Sequence, residues 1–213
     1  MAKKNYKIPV FFCIPDITGF TKFMTTADDD FAHEVIPKIL KAIIKSNMLD
    51  FNIAEIEGDA IFFYRTGRLP SVSKLAEQCK VIYEVFNNVI DSYKDTHPEL
   101  YQTYLGEEQL GIKIIIHYGK ISITKIEGRT KLLGEDVILA HKLLKNMITD
   151  FNYILLTNKY LDKLRDKKIV HTWFNWEKLK TGIENYEHFG EVPYSYISLN
   201  DCNNIKHTNK IKA

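Results

Sequence analysis

The chain has 213 residues, 45% of them hydrophobic, with 29 basic and 27 acidic side chains and a formal net charge of +2. That length suits one domain with a substantial core, and the charge is too near neutral to advertise a nucleic-acid or anionic-membrane partner. No apolar run is long enough to cross a bilayer or to serve as a signal-peptide core, so a cytoplasmic location is expected.

The expected organisation is a single domain over residues 1–200 and a polar tail over 201–213. The Lys-rich ends read as solvated tails. Cys13, Cys79 and Cys202 are odd in number and lack a C-x-x-C spacing or a companion His cluster. Reduced thiols are expected, with neither a disulfide framework nor a zinc site.

The first element is the apolar run from Val10, which stops at Pro15-Asp16 and gives way to Ile17-Thr18-Gly19-Phe20-Thr21. It predicts a buried strand that delivers a carboxylate to its end, followed by a glycine turn with two threonine hydroxyls and free backbone N–H groups. Such a turn suits phosphate, and a carboxylate beside it suits Mg²⁺ or Mn²⁺. For Pro-Asp alone, a turn-capping aspartate explains the residue as well. Asp28-Asp29-Asp30 offers caps for a helix over 31–46. Asn52 to Tyr64 reads as two strands joined at Glu57-Gly58-Asp59. A second amphipathic helix is predicted over 71–93, opening after Pro70. Strands near 111–118 and 120–127, a helix near 135–146 and a strand near 152–156 follow, in the manner of a sheet with helices on one face. Beyond these, 158–165 is a short helix candidate, and 169–176 and 191–199 read as strands. The order βαββαβ with C-terminal additions predicts an α+β, ferredoxin-like core.

In this order PDITGFT, EIEGDAIFF, LGIKIIIHYGKISI and LGEDVILAHK resemble the class III nucleotidyl cyclase catalytic domain, from about Pro9 to Leu199. The wording PDITGF, EIEGDAIFF, HYG, GEDVILAHKLLKN and YILLT is still more similar to an uncharacterised bacterial family of single-domain cyclase-like proteins. That family supports the fold and offers no activity to carry over.

The resemblance implies that Asp16 and Asp59, with Ile17, hold Mg²⁺ or Mn²⁺, and that Thr18, Gly19, Phe20 and Thr21 bind the phosphates of a nucleoside triphosphate. It puts Glu55 and Lys131 at the base-reading positions. A glutamate accepts hydrogen bonds and a lysine only donates them, so a shared pocket across a dimer would favour guanine or uracil over adenine. A plain Glu55–Lys131 ion pair accounts for the same residues. The ribose-positioning asparagine of the cyclases corresponds to Ile138, which makes no hydrogen bond. Their transition-state arginine corresponds to Lys142, which keeps the charge without the bidentate fork. No residue matches the lysine that binds the terminal phosphates, where the sequence reads His188-Phe189-Gly190. His117 reads as structural, and His141 as a polar residue at a dimer contact or a substitute phosphate ligand. The apolar helix over 134–145 predicts a homodimer that brings Lys142 toward the partner's aspartates. Two readings therefore stand: a divergent cyclase forming a 3′,5′-cyclic nucleotide, and a catalytically inactive nucleotide-binding or regulatory module.

Overall fold

The computed structural model describes residues 6–106, 108–164 and 173–203. In these the chain runs β1 (Ile8–Thr18), α1 (Phe20–Thr26), α2 (Asp29–Lys45), β2 (Asn52–Glu57), β3 (Ala60–Thr66) and α3 (Val72–Asp91). Two short turns of helix follow, α4 (Tyr93–Thr96) and α5 (Pro98–Leu100), then a π-helical turn over Tyr101–Leu105. The second half runs β4 (Gly111–Ile126), β5 (Arg129–Leu133), α6 (Glu135–Leu143), β6 (Tyr153–Thr157), α7 (Asn158–Leu161), β7 (Lys180–Tyr186), β8 (Gly190–Ser198) and α8 (Leu199–Asn203).

This is an α+β fold on one mostly antiparallel sheet, in the order β2-β3-β1-β4-β6-β8-β7, with β5 paired to the outer part of β4. The β4–β6 pairing is parallel; the other strand pairs among the described residues are antiparallel. Every residue of β1 from Val10 to Ile17 is buried. A strand without a solvent face needs cover on both sides. Phe11, Cys13 and Ile17 pack with residues of α2 and α3, while Val10, Phe12 and Ile14 pack with Leu139, Ala140 and Leu143 of α6. Helices therefore cover both sheet faces, which corrects the expectation of helices on one. The three cysteines are buried and free.

Local chemistry sets the helix starts. The Asp28 side chain accepts from the N–H groups of Asp30 and Phe31, and Ser71 accepts from that of Lys74, each meeting an N–H that the first helical turn leaves open. The predicted break near His117-Tyr118-Gly119 does not occur. β4 runs unbroken to Ile126, and the chain reverses at Glu127-Gly128, both with positive φ, as a two-residue hairpin requires. Gly119 serves packing instead, since a Cβ there would collide with the Asp136 side chain of α6.

The last third departs most from expectation. The helix at Asn158 ends at Leu161, and β8 ends at Ser198, where Leu199 begins α8. β7, a sheet edge, was not anticipated. Of the strand expected over 169–176, residues 169–172 lie outside the described residues and 173–176 form no strand. The tail beyond residue 203 also lies outside them. No helix among the described residues is long and apolar enough to cross a membrane.

Candidate functional site

Asp16 sits near the end of β1, opposite Ala60 of β3 and Lys113 of β4. Its even position directs it to the α6 face, with Phe12 and Ile14. Asp59 stands at the β2–β3 tip, beside Gly58 with φ +60°. The two carboxyl groups meet. Burial first, and then the hydrogen bond to Asp16 and its charge, push the Asp59 carboxyl up to about 7, with Lys113 acting in the opposite sense. The Lys113 ammonium lies 3.0 Å from Asp16 Oδ2, both groups largely buried.

The turn after Asp16 closes over this pair. Gly19 takes φ +83°, and a side chain there would strike the carbonyl oxygen of Gln109, so the turn has room only for glycine. The Phe20 ring approaches Gly58, joining the turn to the hairpin tip. Thr18 Oγ1 is buried without a hydrogen-bond partner. An orphaned hydroxyl, a glycine cradle and two facing carboxylates form a donor set suited to oxygen-rich ligands and a hard divalent cation. No cluster of three or more His, Cys, Asp or Glu side chains occurs among the described residues, so the metal set would rest on the two aspartates and backbone oxygen.

A second group occupies the same sheet face along β2. Glu55 Oε2 lies 3.4 Å from the Lys131 ammonium of β5 within one chain, an ion pair of the kind weighed from the sequence beside a base-reading role. His141 of α6 reaches both Glu55 (Nε2 to Oε1, 3.2 Å) and Glu57 (Nδ1 to Oε2, 3.0 Å), and its ring stacks on Phe62 with centroids 4.0 Å apart. His141 is thus engaged inside the subunit. Ile138 of α6 is 53% exposed, and the Lys142 ammonium lies over the Tyr186 ring at 5.9 Å.

The histidine of β4 is structural in geometry. His117 is fully buried, with Nδ1 3.0 Å from Thr157 Oγ1 and Nε2 3.2 Å from Asp136. Burial lowers its basicity, outweighing the opposite pull of Asp136. Burial would raise the Asp136 carboxyl, but His117, Lys159 and the Lys120 N–H together hold it well below the usual carboxylate range. This network ties α6 to β4 and α7.

Sequence reasoning missed Lys113. Its one legible signal is a lysine interrupting the apolar run of a central strand, GIKIII, where a charge needs a partner.

A family model described as "Protein of unknown function (DUF2652)" matches residues 36–153, more than half of the chain, and the chain belongs to that family. An uncharacterized protein of Mycobacterium tuberculosis, Rv2561/Rv2562, is 29% identical over 148 residues, spanning 69% of this chain and 66% of its own length, just under two thirds. Among solved structures the fold is similar to the guanylyl cyclase Cya2 (TM-score 0.62, 16% identity, 92% of this chain and 98% of that one). It is similar also to the adenylyl cyclase CyaB from P. aeruginosa (0.53, 13%, 91% and 95%). A third is the guanylate cyclase domain of RhGC from Catenaria anguillulae in complex with GTP (0.54, 15%, 90% and 96%). At these identities the likeness is one of fold.

Proposed function

We propose that the protein binds a nucleoside triphosphate with Mg²⁺ or Mn²⁺ at Asp16 and Asp59, as a divergent relative of the class III nucleotidyl cyclases. The observation that carries this reading is the pair of facing carboxylates, one pushed up to about 7, beside a glycine turn with an orphaned threonine hydroxyl. Two carboxyl groups packed together resist ionising at the same time, and sites of this kind recur where function needs them. The order β2-β3-β1-β4 supports a ferredoxin-like βαββαβ core beneath the site.

Asp16, Asp59 and the backbone carbonyl of Ile17 would hold the metal, which supplies positive charge against a triphosphate and polarises a phosphoryl oxygen. Thr18 to Thr21 offer hydroxyl and backbone N–H groups to the phosphates. Lys113, paired with Asp16, would supply the charge for which the sequence offered no terminal-phosphate lysine. Lys113→Met is expected to weaken triphosphate binding roughly ten- to hundredfold, the scale of one charge-assisted contact. Titration calorimetry with Mg²⁺ present measures this, and an unchanged affinity would remove Lys113 from the site.

The exposed Ile138 of α6 supports a homodimer through the α6 face, which would carry Lys142 to the partner's aspartates. Sedimentation equilibrium is expected to show a dimer when nucleotide and metal are present. Glu55 and Lys131 would read guanine or uracil. A second reading, an inactive nucleotide-binding module, is favoured by the isoleucine at the ribose position, because loss of an oriented polar group lowers rate by orders of magnitude. Incubation with each of the four triphosphates and Mn²⁺, read by mass spectrometry beside a binding assay, separates these outcomes. A cyclic product makes the protein an enzyme, binding without product makes it a module, and neither result sinks both readings.

A further inference from the structure

We propose that the imidazole of His141 is a built-in occupant of the base pocket, which a nucleotide base must displace in order to reach Glu55. The inference rests on the nucleotide reading above and deepens it.

Its basis is the set of contacts that His141 makes. The ring lies on Phe62 with centroids 4.0 Å apart and planes 24° from parallel, the contact a flat base would make with that phenyl face. From this position Nε2 faces Glu55 Oε1 at 3.2 Å, while Lys131 faces the other oxygen of the same carboxylate at 3.4 Å. Nδ1 faces Glu57 at 3.0 Å. Both ring nitrogens face carboxylate oxygens, so a proton on either one is directed at a carboxylate. A flat ring stacked on Phe62 with a nitrogen at Glu55 takes the place that the edge of guanine or uracil would take. Each oxygen of Glu55 already has a nitrogen neighbour, His141 at one and Lys131 at the other. A base that reads this carboxylate therefore competes with His141, which is also held by Glu57 and by the Phe62 ring.

Two consequences follow for binding. The free protein has a self-satisfied pocket, so nucleotide affinity is lowered by the population that has His141 in place. Admission also depends on the base offering N–H donors in exchange, since a base without them would leave the carboxylate with a lost partner.

Nuclear magnetic resonance of the full chain, with labelled histidine and glycine and titrated with Mg²⁺ and GTP, tests this directly. Movement of the His141 imidazole signals together with those of Gly19 and Gly58 supports displacement. Movement of the two glycines with His141 unchanged overturns the proposal while leaving nucleotide binding intact. No movement at any of them removes the nucleotide reading and the proposal with it. As a second arm, His141→Ala is expected to bind GTP about tenfold more tightly than the unaltered protein, the scale of one lost competing contact. Equal or weaker binding would mean that the ring does not compete with the base.

Discussion

Replacing Asp59 by Asn is expected to abolish metal-dependent nucleotide binding and to raise the melting temperature of the metal-free protein at pH 8. Both effects come from one group. The Asp59 carboxyl stands at about 7 in the folded protein against an ordinary value of 3.8, pushed up by burial and then by Asp16. A raised carboxyl holds its proton better in the folded chain than in the unfolded one. The stability this contributes is complete below about pH 4 and is lost as pH rises through about 7, where a second negative charge faces Asp16. Asparagine cannot ionise, and its amide N–H can donate to Asp16 as the protonated acid did. The gain should be on the order of a few degrees at pH 8 and close to nothing at pH 5, by thermal melts across that range. Because a cation competes with the proton, Mn²⁺ affinity of the unaltered protein should climb as pH approaches 7 and level off above it. A pH-independent change in melting temperature, or retained Mn²⁺-dependent binding in the variant, would refute the paired site.

Gly119→Ala is expected to destabilise the fold by about 3 kcal/mol, through overpacking and the loss of buried hydrogen bonds. The new methyl would collide with the Asp136 side chain. That carboxylate has little freedom to yield, being bonded to the Lys120 N–H at 2.8 Å, the Lys159 ammonium at 2.7 Å and His117 at 3.2 Å. If it moves, His117 is left in the core with its contact to Thr157 and without its carboxylate. The clash and the network are one unit, so the two substitutions should not add. Asp136→Ala made in the Gly119→Ala background should cost much less than the sum of the separate changes, by chemical denaturation. Additive costs would show that Gly119 is required for some other reason.

How far the sequence was legible depended on how local each signal was. Asp16 at the end of an apolar strand, Asp59 on a Gly-Asp hairpin tip and the cap at Asp28 are set by residues next to them in the chain. Each was readable because turn and capping chemistry acts over a few residues. The edge strand β7, KTGIENY, carries little apolar alternation, and its glycine lies beneath the Tyr194 ring. Its pairing with β8 is a tertiary choice that a local pattern does not announce.

The apolar run of β1, the glycine turn and the order of strands and helices were determined by the sequence itself, because burial and backbone freedom follow from residue type. Which charges meet was decided by the tertiary structure. Lys113 reaches Asp16 because the β1–β4 register sets them opposite each other, and a one-residue slip of β4 would turn Lys113 to the other face. His141 reaches Glu55 and Glu57 because α6 lies on the sheet face opposite α2 and α3. Gly119 needs no turn, only space for a carboxylate from a helix that follows it. Pairings between residues distant in the chain depend on register and on the face a helix covers, and those are properties of the assembled sheet.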